Sequence, residues 1–138
     1  MADGIDITLT ADAAALPVVE AALEEFAESH ELPPRTGYTL ALIVEELVTN
    51  IVKYGYAGAD AGPLQLTVKL DSGGVVGTLV DAGAPFDPTA MAAPDVEAEM
   101  EERRIGGLGV HLVRTMSEDF SYRRDDGHNV VSFRLPLA

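Results

Sequence analysis

The sequence contains no cysteine and no tryptophan, and it carries only nine lysines and arginines against 23 aspartates and glutamates. Without cysteine there are no disulfides, cysteine-ligated zinc sites, iron–sulfur clusters or cysteine nucleophiles. The shortage of basic residues leaves a formal net charge of −14. Such a surface argues against nucleic-acid binding, which draws its affinity from cations that displace phosphate counterions. It still allows an anionic nucleotide held by backbone amides and a metal, and it would steer a basic protein partner. No apolar stretch approaches the roughly 20 residues of a membrane span. The first ten residues carry Asp3 and Asp6 and lack the basic start and apolar run of a signal peptide. The chain reads as a cytoplasmic protein with no membrane association.

What is present suits one globular domain over residues 1–138, with 47% apolar and 23% charged residues. Ile5, Ile7 and Leu9 alternate as a short strand. Asp12 is placed to cap a helix running to about His30, in which Leu16, Val19, Leu23 and Phe26 recur at helical spacing while Glu20, Glu24, Glu25 and Glu28 stay outside. Pro34 opens a second helix that runs to about Tyr54 and stops at Gly55. Leu64 to Leu70 and Val75 to Val80 form a hairpin about Ser72-Gly73-Gly74. Asp81 to Arg104 is rich in proline, small residues and acid, which suits a functional loop or lid. Gly106-Gly107-Leu108-Gly109 precedes a helix over Val110–Met116. Strands at about Asp119–Arg124 and Val130–Leu135 finish the chain around Asp125-Asp126-Gly127. Hairpin-joined strands with separately grouped helices predict an α+β two-layer sandwich, with a mixed or antiparallel sheet and three helices on one face.

Three segments carry candidate chemistry. Glu46, Asn50 and Lys53 fall at i, i+4 and i+7 on the second helix and share a face. That pattern is usually an ordinary solvated face; a carboxylate and amide one turn apart can also serve a divalent metal and a water. Asp81-Ala82-Gly83 follows an apolar strand. There a carboxylate can accept a hydrogen bond from an exocyclic amine, and Gly83 lets backbone pass close to a flat ligand; a turn with a capping aspartate reads the same way. The glycines at 106, 107 and 109 can present amides to phosphate from a helix start, or act as a hinge. They lack the lysine and hydroxyl of a P-loop.

Together and in this order, Glu46-Leu47-Val48-Thr49-Asn50, Asp81-Ala82-Gly83 and Gly106 to Gly109 resemble the N box and the two glycine boxes of the GHKL ATPase superfamily. The small size, Asp81-Ala82-Gly83-Ala84-Pro85-Phe86-Asp87-Pro88 and Gly106-Gly107-Leu108-Gly109-Val110-His111-Leu112-Val113 are similar to the anti-sigma factor serine/threonine kinases. The resemblance covers nearly the whole chain. It implies a Bergerat-type ATP-binding fold with an ATP lid at about 83–109.

It further implies that Asn50 ligates a Mg²⁺ bridging the ATP phosphates, and that Glu46 is the general base. Glu45 points about 100° away around the helix. Asp81 matches the residue that reads the adenine amino group. Gly83, Gly106, Gly107, Leu108 and Gly109 belong to the boxes that hold the nucleotide. Lys53 would approach a phosphate or remain a surface lysine. The family often sets a threonine beside the adenine aspartate; strand alternation offers Asn129 here, with Ser132 as the alternative. Arg103 and Arg104 end the lid, His111 reads as structural, and Tyr54 and Tyr56 flank Gly55 as packing or pocket residues. The implied partners are a STAS-type anti-anti-sigma factor, a sigma factor and a second copy through the sheet edge or first helices. Close relatives that grip a sigma factor commonly carry an arginine in the first helix, whereas Asp12 to His30 holds no lysine or arginine. Two other readings use the same boxes: an ATP-dependent binding module without phosphotransfer, and a detached histidine-kinase catalytic domain.

Overall fold

Five strands form one sheet in the order β1-β2-β3-β5-β4. They are β1 (Gly4–Thr10), β2 (Pro63–Asp71), β3 (Gly74–Asp81), β4 (Glu118–Asp125) and β5 (His128–Pro136). All four neighbouring pairs are antiparallel, so the sheet is not mixed. The structure, a computed structural model, describes residues 4–56, 60–85, 87–88 and 113–137. Within them are two long helices, α1 (Ala15–Ser29) and α2 (Pro34–Asn50), a π-helical turn over Ile51–Gly55, and a helical turn at 113–116. The rest of the expected third helix lies outside the described residues. None of the described helices is long and apolar enough to cross a membrane.

Local chemistry explains the element ends. Asp12 acts just ahead of α1: its carboxylate accepts the Ala14 N–H at 3.0 Å and its carbonyl the Ala15 N–H at 3.0 Å. Pro34 occupies the first turn of α2, where its missing N–H costs nothing. The β4–β5 hairpin closes on Asp126 and Gly127, both at positive φ (49° and 78°), the backbone that matches the twist of adjoining strands.

Strand alternation sends Leu64, Leu66 and Val68 of β2, Val75 and Leu79 of β3, and Val131, Phe133 and Leu135 of β5 to one face. There they pack against Val19, Leu23 and Phe26 of α1 and Leu40, Ile43, Val44, Leu47 and Val48 of α2. Val113 joins the same core. On the other face Thr78 and Ser132 share a hydroxyl hydrogen bond at 3.2 Å, and Arg134 ties Asp71 to Glu118.

Gly77 pairs across the sheet with Phe133, whose ring occupies the space a side chain would need: an added Cβ would lie 2.4 Å from Cζ of the ring. Phe133 is in turn 1% exposed and has nowhere to retreat. Gly77→Ala is therefore expected to destabilise by about 1–3 kcal/mol, the usual cost of overpacking. Urea unfolding checks this through a lower midpoint at unchanged slope. A midpoint equal to that of the parent would show that the ring relocates freely.

Candidate functional site

The α2 helix delivers Glu46 and Asn50 one turn apart at its C-terminal end. Asn50 is 2% exposed, so this is not a solvated face. Both polar atoms of its amide, together with Oε2 of Glu46, are buried with no hydrogen-bond partner. Leaving such groups unpaired costs about 1–3 kcal/mol each, so their clustering marks a place built for something other than packing.

Directly after Asn50 the helix widens. The sequence predicts an α-helix to about Tyr54; instead residues Ile51–Gly55 form a π-helical turn. Such turns insert a residue and are frequent at functional sites. The wider winding removes the strict i+7 relation that put Lys53 on the face of Glu46 and Asn50. Lys53 is exposed, although its charge still acts on Glu46.

The turn ends against the loop that follows β3. The Gly55 carbonyl accepts the Ala84 N–H at 2.7 Å. A Cβ on Gly83 would sit 2.1 Å from that same carbonyl oxygen, so only glycine permits the approach. Tyr56 adds a second tether: its hydroxyl donates to the Pro63 carbonyl at 2.7 Å and accepts the Ala82 N–H at 2.8 Å. Gly83 and Ala84, where the expected lid begins, are thus pinned.

Asp81, 3% exposed, closes β3 on the helix side of the sheet. Its Oδ1 accepts the Gly83 N–H at 2.9 Å and the Asn129 amide at 3.0 Å. Asn129 is its cross-strand partner on β5 and is 2% exposed. The second bond of Nδ2 goes to the Ala84 carbonyl at 2.8 Å, while Oδ1 accepts from Tyr122 at 2.6 Å and Arg124 at 3.1 Å. Arg124 also donates to the Gly83 carbonyl at 2.7 Å. Ser132, the alternative neighbour, instead pairs with Thr78 on the opposite face.

Asn50, Asp81 and Asn129 line one narrow cleft with Leu47, Ile51, Gly55, Pro88 and Val131, whose free volume of about 10 Å³ is room for a single water. The second glycine cluster (Gly106, Gly107, Leu108, Gly109), Arg103, Arg104 and His111 lie outside the described residues. Glu45 is half-buried in the groove between α1 and α2, away from the cleft, in agreement with its sequence position. Tyr122, Arg124 and the tethering role of Tyr56 escape the sequence reading. Hairpin register could have found the first two: Asp126-Gly127 as the turn sets Arg124 opposite Asn129 and Tyr122 opposite Val131.

Electrostatics separate the two adjacent glutamates. Burial pushes the Glu46 carboxyl above its ordinary 4.5, and the Lys53 ammonium and nearby Asn50 amide offset this only in part. The amide acts here by proximity, since neither of its polar atoms reaches hydrogen-bond geometry. Glu45 is raised as well, by burial and by the like charge of Glu20 across the groove. Burial and the Asp81 charge raise the Tyr56 phenol, against the hydrogen bond from Ala82.

A raised Glu46 makes the fold pay for ionisation. The Glu46 contribution to stability is most favourable below 4.5, where this carboxyl is protonated in both folded and unfolded states. It declines as pH rises through the shifted value. Glu46→Gln is neutral throughout, so its melting temperature is expected to exceed the parent's at about pH 7.5 and the gain to shrink toward about pH 4. Thermal melts across this range decide it; a gain independent of pH would mean that ionisation is not its source.

Comparison with known proteins gives the family and the fold. Residues 9–135 match the model of the histidine kinase-like ATPase domain. The serine/threonine-protein kinase BtrW of Bordetella bronchiseptica is 30% identical over 107 residues, spanning 78% of this chain and 75% of its own. The serine-protein kinase RsbW of Listeria monocytogenes is 30% identical over 96 residues, 67% of this chain but 61% of that relative. Among solved structures, the RsbU and RsbW domains of Rv1364c from Mycobacterium tuberculosis superpose with a TM-score of 0.72 at 17% identity, over 99% of this chain and 33% of that one. The SiaB–SiaC complex of Pseudomonas aeruginosa gives a TM-score of 0.63 at 18% identity, over 95% and 88%. At those identities the structural matches speak for the fold, an α+β sandwich of the ATP-binding type. The chain belongs to the histidine kinase-like ATPase family, alongside the serine kinases BtrW and RsbW to which it is similar.

Proposed function

We propose that this chain is an ATP-dependent serine/threonine protein kinase acting on a STAS-type anti-anti-sigma partner and serving as an anti-sigma regulatory factor. The observation that carries the reading is the buried, unpartnered amide of Asn50 in the cleft that Asp81 also lines, with the buried, unpartnered Oε2 of half-buried Glu46 one helical turn before it. Kinase activity in the relatives BtrW and RsbW supports it.

Asp81 reads the base. Two donors already occupy Oδ1, which leaves Oδ2 to accept one hydrogen bond from the exocyclic amine of adenine. Asn129 takes the place of the family's threonine, but its four hydrogen-bonding positions are filled within the protein. Its work is to hold Asp81 and the Gly83–Ala84 backbone in place. Asn50 Oδ1 is a hard oxygen without a partner, which fits Mg²⁺, a cation that needs only one or two protein oxygens beside phosphates and water. When bound, the ion neutralises phosphate charge that an acidic chain would otherwise repel. Glu46 Oε2 accepts the proton of the substrate hydroxyl as that oxygen attacks the γ-phosphorus and the bond to the ADP oxygen breaks. Lys53, exposed on the π-helical turn and off the shared face, acts through its charge on Glu46 and is proposed to reach a phosphate only through its long, flexible side chain. The amides around Gly106, Gly107, Leu108 and Gly109 complete the phosphate cradle within a lid at about 83–109. A sigma factor and a second copy of the chain are further partners by the same reading.

The experiment separates the two residues' roles. Asn50→Ala should weaken Mg-ATP binding measured by calorimetry. Glu46→Gln should still bind ATP while radiolabel transfer to a STAS partner falls by about 10²- to 10⁴-fold. Glu45→Gln, outside the cleft, should transfer at close to the parental rate. Acid-stable label identifies a phosphohydroxyl product, and acid-labile label a phosphohistidine. Transfer at the parental rate by Glu46→Gln would remove it as the base. ATP binding without transfer by the parent would favour a binding module.

A further inference from the structure

The end of α2 farthest from Asn50 carries a second cavity, about 22 Å away along the helix by its rise per residue. This pocket of about 320 Å³ lies between the first turn of α2, the helical turn at 113–116 and the end of β5. Its volume is at the lower end of the range for small-molecule sites.

Its polar side chains are all able to donate. The α2 N-terminus has no side-chain cap and no acidic residue in its first turn. Gly37 N–H bonds the Pro33 carbonyl, but the N–H groups of Arg35 and Thr36 have no acceptor among the described residues. Thr39 is 8% exposed and lines the same pocket, and its hydroxyl joins no hydrogen bond. Its oxygen is not among the buried atoms that lack a partner, so the accessible part of this otherwise buried side chain includes the hydroxyl. Arg35 forms no ion pair among the described residues and is the one charged side chain in the described lining. In a chain of net charge −14, this pocket presents two free amides, two hydroxyls and a guanidinium, with no carboxylate side chain among its described lining residues. The remaining wall is apolar, from Met116, Leu135, Pro136 and Leu137.

We propose that this pocket binds a small organic oxyanion. Its anionic head docks on the Arg35 and Thr36 amides, the Thr39 hydroxyl and the Arg35 guanidinium. A short apolar tail lies along Met116 and Leu135. Helix N-termini favour anions through their free amides and dipole, and guanidinium adds charge-assisted bonds. A carboxylate and a phosphate monoester share this head chemistry. The site is separate from the nucleotide cleft and does not depend on the kinase reading.

Amide chemical shifts of the full chain test it, with hexanoate and hexyl phosphate as probes and hexanol and inorganic phosphate as controls. One or both tailed anions should move the Arg35 and Thr36 amides to saturation, and which of them does so identifies the head group. Arg35→Gln and Thr39→Val should each weaken binding about tenfold, the scale of a bond to a charged group. Arg35 is exposed, so its variant reports even if the Thr39 variant folds poorly. Three results would overturn the proposal: neither amide moving with either anion up to about 10 mM, hexanol or inorganic phosphate binding as tightly as the tailed anions, or Arg35→Gln binding like the parent.

Discussion

The Gly55 carbonyl and the Ala84 amide meet at 2.7 Å, and the geometry of the cleft depends on that contact. It joins the helix layer to the sheet at the point where both end. Gly83 must lack a side chain for the two backbones to come this close. The π-helical turn supplies the extra residue that carries Gly55 to the meeting point. Tyr56 and Asn129 then brace the same loop from opposite sides, through the Ala82 amide and the Ala84 carbonyl. Asp81 is thereby fixed near the end of α2, and its carboxylate direction is set jointly by the Gly83 amide and the Asn129 side chain.

This rigidity supports a polar arrangement that is unfavourable on its own. Asn50 and Glu46 hold buried atoms without partners, and burial raises the Glu46 carboxyl. A raised carboxyl is a better proton acceptor, so the feature that costs stability is the one that suits general-base chemistry. The surrounding core offsets the cost. Leu47, Val48 and Ile51 interleave with Glu46 and Asn50 along the chain and are buried against the sheet. The helix cannot rotate its polar pair into water without exposing them.

The two ends of α2 are chemically opposite. The C-terminal end carries the carboxylate and amide of the cleft. The N-terminal end is uncapped and lies beside Arg35 in an otherwise acidic molecule. Between them, Glu45 faces Glu20 across the α1–α2 groove, and that repulsion is part of why its carboxyl is raised. Charge here is distributed by position along one helix, with the carboxylate and amide at one end and an acid-free first turn at the other.

The sequence by itself determined the elements and singled out Asn50, Asp81 and Asn129, which the fold brings to one cleft. Period-two and period-3.6 patterns place all five strands and both long helices to within a few residues, because a half-buried strand or helix must segregate its apolar side chains. The spacing of Glu46 and Asn50 puts them on one face, and Asp81 at the end of an apolar strand is legible in the same way. Three things were decided only by the tertiary structure. Whether that helix face is wet or dry depends on what covers it, and Asn50 is dry. The π-helical turn arises where α2 must reach the loop after β3, a distance no local propensity encodes. The choice of Asn129 over Ser132 follows from strand register, since a shift of one residue reverses the face, and only pairing between β3 and β5 fixes it.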